Sequence, residues 1–304
     1  MRKLLFLIII FMVLVGIVHA WTKRSQNKHE STKIQVVASF YPLYFFARQI
    51  GGDKADVSNL TPAGTEPHDY EPTTQDLARI ENSNLLIVNG GVEPWGNKIK
   101  ENLQGTDVKL LVAGEGLLTK QLTEEGKTSQ DPHVWLNPKL AKKEVEKITN
   151  GFIAIDPANA NYYKANEQTL NNKLDALDAA YTKGLATCKN RDIITSHAAF
   201  AYLADAYGLK QIAIAGLSPD TEPSAQQLTT IANFAKANHI KYIFFEELVS
   251  PKFADTIARE IGAKTLVLDP LEGISDDRIK QGENYFTVME KNLKNLQLAL
   301  SCNQ

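Results

Sequence analysis

Apolar and polar positions change period repeatedly along this chain. Residues 34–40 form a β-rich apolar run and read as a strand. Residues 42–50 carry apolar positions at helical spacing, with Pro42 in the first turn and Gly51-Gly52 at the end. The pattern then predicts a short strand at 56–60, a helix at 73–83 capped by Thr73 or Thr74, and a buried strand at 85–88 stopped by Asn89-Gly90-Gly91. A helix at 92–103 and a strand at 108–112 follow. Residues 117–129 are polar and read as a surface loop. Residues 138–155 read as a helix with Asn137 as its cap.

The stretch 156–188 is different. Tyr162, Ala165, Leu170, Leu174, Leu177 and Tyr181 recur every three to five residues, and no glycine occurs between Asp156 and Lys183. It reads as one long rigid helix; 28 helical residues would extend on the order of 42 Å, longer than one small core needs. Alternation then restarts, with strands at 192–195, 211–214, 242–245 and 265–268 and helices at 198–207, 224–238, 252–261 and 283–300. The expected class is α/β: two similar lobes with central, mostly parallel sheets, joined by the long helix. The expected boundaries are 1–20 leader, 21–33 tether, 34–155 N-terminal lobe, 156–188 linking helix and 189–304 C-terminal lobe.

Composition is ordinary for a globular chain, with 43% apolar and 22% charged residues and a formal charge of −2. No concentrated basic surface is written into it, which argues against a nucleic-acid partner. Arg2 and Lys3 precede an uncharged apolar run at 4–18, followed by His19-Ala20. That is the order of a secretory signal cleaved after Ala20, with an uncleaved anchor as the alternative. No cysteine stands near the end of the run, so diacylglycerol modification is not expected. The body is expected in the periplasm or at the outer face of the cytoplasmic membrane. In such an oxidising compartment Cys188 and Cys302 predict a disulfide.

The chemistry lies in four short segments after predicted strands or at loop–helix junctions. They hold His68 between Pro67 and Pro72, His133 after Pro132, His197 where a strand meets a helix, and the carboxylates Asp269 and Glu272 around Pro270. Such positions ring the ligand crevice of open α/β sheets. Any one histidine alone is more often a hydrogen-bonded structural residue. Together, imidazole nitrogens and a carboxylate oxygen form a tetrahedral zinc set. Two segments come from each half, which would place the ion in the inter-lobe cleft. Of the other histidines, His19 and His29 fall in the leader and tether, and His239 is expected to cap a helix end.

The segments GTEPHDYEPT, DPHVWLNP and TSHAAFAYLADAYG resemble the metal-binding segments of the zinc and manganese solute-binding proteins of ABC importers. LSPDTEPS and the FFEE–LDPLEG pair resemble segments of that family's second lobe, so the resemblance covers nearly all of the chain from Ile34 onward. It implies two α/β lobes joined by a long helix, with His68, His133 and His197 as ligands. It also implies a carboxylate from the last segment, for which Glu272 is favoured over Asp269. Glu246 and Glu247 are candidates to orient an imidazole. Three imidazoles and one carboxylate favour Zn2+, with Mn2+ as the alternative. The implied partner is an importer permease with its ATPase, served by a monomer. The segment 117–129 contains no histidine, which argues against the auxiliary capture loop of many zinc-type members. A zinc hydrolase is the competing class, but no HExxH helix or GxSxG turn occurs. An adhesin is a further alternative, which nothing in the residues supports or excludes.

Overall fold

The computed structural model describes residues 33–124 and 126–303. The leader, its cleavage position, most of the tether, His19 and His29 lie outside them. The first half is built from β1 (Ile34–Ala38), α1 (Tyr41–Gly51), β2 (Ala55–Asn59), α2 (Thr74–Glu81), β3 (Leu85–Val88), α3 (Gly96–Asn102) and β4 (Lys109–Val112). Its sheet has the order β2-β1-β3-β4. β3 pairs parallel with β1 and β4, with Val36 opposite Leu85 and Leu86 opposite Leu110. β3 is buried along its whole length, as an unbroken Leu-Leu-Ile-Val run requires when helices cover both faces of a parallel sheet. Val37, Leu86 and Val88 pack with Trp95 and Ile99 in one core.

A small antiparallel hairpin, β5 (Gln121–Glu124) with β6 (Lys127–Gln130), interrupts the segment read as an irregular loop. The hydroxyls of Thr123 and Thr128 meet across it at 2.9 Å, and Gly126 turns with φ +80°. Its strands are short and solvent-facing, so no apolar alternation announces them. Then α4 (Pro138–Ile155) begins at the Asn137 cap, whose side chain accepts from the Lys139 N–H at 3.0 Å.

The long helix is α5 (Ala160–Leu185), 26 residues and about 39 Å. Its buried stripe of Leu170, Leu174, Leu177, Tyr181 and Leu185 keeps helical spacing. The second half follows: β7 (Asp192–Thr195), α6 (Ala201–Ala206), β8 (Lys210–Ala213), α7 (Ala225–Ala237), β9 (Tyr242–Phe245), α8 (Lys252–Ile261), β10 (Lys264–Val267), α9 (Asp276–Lys280) and α10 (Tyr285–Ala299). β7 pairs parallel with β8 and β9 with β10, and β7 lies beside β9. Ile194, Ile243, Ile231 and Ile257 form this half's core. α5 packs on α4, α1 and α10, so it touches helices of both halves. Cys188 and Cys302 form a disulfide, joining the chain just past α5 to the chain just past α10. No helix among the described residues is long and apolar enough to cross a membrane.

Three further elements depart from the pattern reading. The helix expected at 92–103 starts at Gly96, because Glu93 turns back to accept from the Asn89 and Gly90 amides at 2.7 and 2.9 Å. The helix expected at 198–207 starts at Ala201, since the Ala198 N–H is spent on Gly216 O at 2.7 Å. α9 was not expected; five residues carry too little periodicity to read.

Glu144, on α4, is fully buried, and neither of its oxygens has a hydrogen-bond partner among the described residues. Burial pushes its carboxyl from the ordinary 4.5 up to about 8, against Lys147 and assisted by Glu93. The folded chain therefore holds a proton there that the unfolded chain releases near pH 4.5. The sign follows: between about pH 4.5 and 8 the native state binds more protons, so stability falls as pH rises. Glu144→Gln removes that slope. In urea unfolding from about pH 4.5 to 7, wild type is expected to lose on the order of 3 kcal/mol relative to the variant. Parallel pH profiles would show that Glu144 ionises freely in the fold.

Candidate metal centre

The three loop histidines and Glu272 are drawn from four places far apart in sequence. His68 lies in the loop between β2 and α2, and its backbone N–H donates to Glu66 Oε1 at 3.1 Å. His133 precedes a single 3-10 turn at Val134–Leu136. Its loop is tied down by Asn89 Nδ2, which donates to Pro132 O at 2.9 Å, and by the Tyr202 hydroxyl, which donates to Asp131 O at 3.1 Å. His197 follows β7, and its carbonyl accepts from Thr195 Oγ1 at 2.8 Å and Gln211 Nε2 at 2.9 Å. Glu272 follows β10 on a turn where Leu271 takes φ +61°. For a side chain with a β-carbon that conformation costs about 1–2 kcal/mol, so the surrounding contacts must hold it.

These side chains converge. Glu272 Oε1 lies 3.2 Å from His68 Nε2, 3.0 Å from His133 Nε2 and 3.4 Å from His197 Nε2. His133 Nε2 is 3.3 Å from Nε2 of both His68 and His197. All four atoms fall within 4.8 Å of one another. A tetrahedral shell with bonds of about 2.0–2.1 Å has donor–donor edges of about 3.3 Å. Five of the six edges here, at 3.0 to 3.4 Å, lie close to that figure.

The rings are oriented from behind. Asp131 Oδ1 accepts from His133 Nδ1 at 2.8 Å, and Glu246 Oε1 accepts from His197 Nδ1 at 2.7 Å. Each carboxylate fixes the tautomer, leaving Nε2 with its lone pair toward the centre. Glu246 was a sequence candidate for this role. Glu247, the other candidate, turns away to Arg278 at 2.6 Å. Asp131 was missed, although it stands two residues before His133 and its Oδ1 also accepts the His133 N–H at 2.9 Å.

Asp269 stays outside the cluster. Its Oδ1 accepts the Leu271 N–H at 2.7 Å and its Oδ2 pairs with Arg278 Nη1 at 2.9 Å. Burial raises its carboxyl to about 6, against the pull of Arg278. His239 is also outside; it takes φ +53° past α7, with its N–H on Lys236 O at 3.2 Å.

The electrostatics favour a cation at the centre. Burial opposes a charge on Glu272, yet His197, His133 and His68 together hold its carboxyl well below the ordinary range. Burial likewise opposes charge on His133, but Asp131 and Glu272 outweigh it and raise its pKa. Glu66 is pushed up to about 9, by burial first and then by Glu272. Glu272 Oε2 and Glu66 Oε2 are buried and have no hydrogen-bond partner among the described residues. The donor types, their spacing and these orphaned oxygens all fit a small divalent ion.

Comparison with known proteins agrees. The zinc-binding protein AdcA of Streptococcus pyogenes serotype M6 is 40% identical over 314 residues, covering 96% of this chain and 61% of AdcA. The chain thus spans about 61% of the length of that relative. The high-affinity zinc uptake system protein ZnuA of Bacillus subtilis is 40% identical over 302 residues, covering 95% of this chain and 94% of that protein. The crystal structure of the Zn(II)-bound ZnuA-like domain of Streptococcus pneumoniae AdcA superposes with a TM-score of 0.76 at 43% identity, covering 88% of this chain and 99% of the domain. A family model described as zinc-uptake complex component A, periplasmic, matches residues 36–299. This chain belongs to that ZnuA family.

Proposed function

We propose that this protein captures Zn2+ outside the cytoplasmic membrane and delivers it to the permease of an ABC importer and its ATPase. The observation that carries the reading is the tetrahedral edge pattern, with His68, His133, His197 and Glu272 as the four ligands. Three imidazoles and a single carboxylate suit zinc better than Mn2+, which prefers oxygen-rich shells. Four protein donors complete the shell and leave no open position of the kind a catalytic zinc uses. We therefore read the chain as a binding protein and not an enzyme. Its working division is a lobe at 34–155, a linking helix at 156–188 and a lobe at 189–304, acting as a monomer. An exported or membrane-anchored position follows from the leader at 1–20 and agrees with the periplasmic description of the family.

Metal analysis of protein purified without added metal, followed by competition between Zn2+ and Mn2+, tests the reading. One equivalent of zinc, retained against Mn2+, is expected. Because zinc binds the folded chain, the Tm of stripped protein should rise with free zinc. The stabilisation should reach about 2.7 kcal/mol at a hundredfold excess over Kd. A Tm indifferent to zinc in protein shown to be metal-free at the start would overturn the proposal.

A further inference from the structure

We infer that Arg278 is a positioning residue for Glu272, and that its ion pair with Asp269 sets how slowly the bound ion leaves; the inference rests on the zinc reading above. Glu272 reaches the centre from a turn whose preceding residue, Leu271, is held in a left-handed conformation. The Leu271 N–H is fixed by Asp269 Oδ1, and Asp269 Oδ2 is fixed by Arg278 Nη1. Arg278 is anchored in turn by Glu247 at 2.6 Å and, through Nε, by Glu283 at 2.7 Å. One guanidinium thus ties the chain after β9, the turn after β10 and the start of α10 together. Lysine, with a single charged nitrogen, lacks the planar fork that lets Nη1 and Nε engage separate carboxylates.

The other supports of the turn act on different atoms. Asn292 exchanges hydrogen bonds with the Asp269 backbone at 2.9 and 2.7 Å, and Trp135 Nε1 donates to Pro270 O at 2.8 Å. These fix where the turn starts. The Asp269–Leu271 bond fixes how the chain leaves it, and therefore where the Glu272 side chain points. Asp269 is only 4% exposed, so without Arg278 its charge would be buried and uncompensated, and it would have to take up a proton or shift. A cavity of about 270 Å³ behind the turn, lined by Glu247, Asp269, Arg278 and Asn292 among others, gives the side chains room to do so.

The experiment follows zinc release into excess chelator from Arg278→Gln, Asp269→Asn, Glu272→Ala and the double variant Arg278→Gln/Glu272→Ala, beside wild type. Asp269→Asn keeps the acceptor for Leu271 but loses the ion pair, and it carries the test should Arg278→Gln fail to fold. Arg278→Gln and Asp269→Asn are each expected to load one equivalent of zinc at the wild-type rate and to release it about tenfold faster, the lower end for groups that orient a metal ligand. In the Glu272→Ala background, Arg278→Gln is expected to add nothing, because its effect runs through Glu272. Wild-type release from Arg278→Gln and Asp269→Asn would overturn the inference. So would an acceleration that persists undiminished without Glu272, since that marks a general loosening of the fold. Wild-type protein that takes up no zinc would instead overturn the zinc reading itself.

Discussion

Zinc affinity is expected to fall by roughly two to three orders of magnitude in His133→Ala or His197→Ala. Closed four-ligand zinc sites bind with about 10–16 kcal/mol; shared among four donors, this gives roughly 2.5–4 kcal/mol each. Both rings are fully buried and each is oriented by its own carboxylate, so no solvent-exposed rotamer can substitute. His68→Ala should fall in the same range, tempered by its greater exposure at the cluster's edge, where water can take the vacated position. Glu272→Ala should lose comparably, and Asp269→Ala clearly less, because Asp269 reaches the ion only through the turn. Glu246→Gln and Asp131→Asn are expected to cost about 10–100-fold, the usual range for groups that orient a ligand. Competition titration against a chromogenic chelator measures the series. Wild-type affinity in His133→Ala or His197→Ala would remove that residue from the site, and an unchanged Glu272→Ala would return the fourth position to another group.

The second large effect belongs to the disulfide. Cys188 and Cys302 are separated by 114 residues, and bridging them ties the end of α5 to the end of α10. The amides of Lys189 and Asn190 already donate to Leu300 O at 3.1 Å, so the two chain ends lie together in the fold. Closing a loop this long removes conformational freedom from the unfolded chain and is worth about 4–5 kcal/mol in the loop-entropy model. Cys188→Ser/Cys302→Ser protein should accordingly show a lowered denaturant midpoint, while its zinc stoichiometry stays at one because the bridge touches no ligand segment. Thiol counting on denatured, unreduced wild-type protein supplies the control. Two reactive thiols would show that the bridge does not form in solution, and an unshifted midpoint in the double variant would show that it contributes nothing.

Much of this architecture is legible in the chain alone, because it is encoded locally. The buried run at Leu85–Val88, the helix Pro138–Ile155 with its Asn137 cap, and the leucine stripe of α5 each announce themselves within one element's own periodicity. The three histidines stand out for the same reason: proline or a strand end stiffens the backbone beside each one. The spacing of motifs also supports a centre fed from both halves. Apart from the cysteine pair, what the sequence leaves open is how distant residues pair. Asp269 and Glu272 are both carboxylate candidates on paper, with Glu272 favoured by the family resemblance. Only the left-handed Leu271 and the Arg278 ion pair turn one carboxylate into a brace and aim the other at the imidazoles. The bond between His197 and Glu246 spans 49 residues, and that between His133 and Glu272 spans 139. Periodicity carries no record of such pairings. Parallel strands bring their C-terminal ends to one edge of a sheet, which delivers the segments of His68, His197 and Glu272 after β2, β7 and β10; His133 arrives after the antiparallel β6, and only its loop's bonds to Asn89 and Tyr202 hold it there.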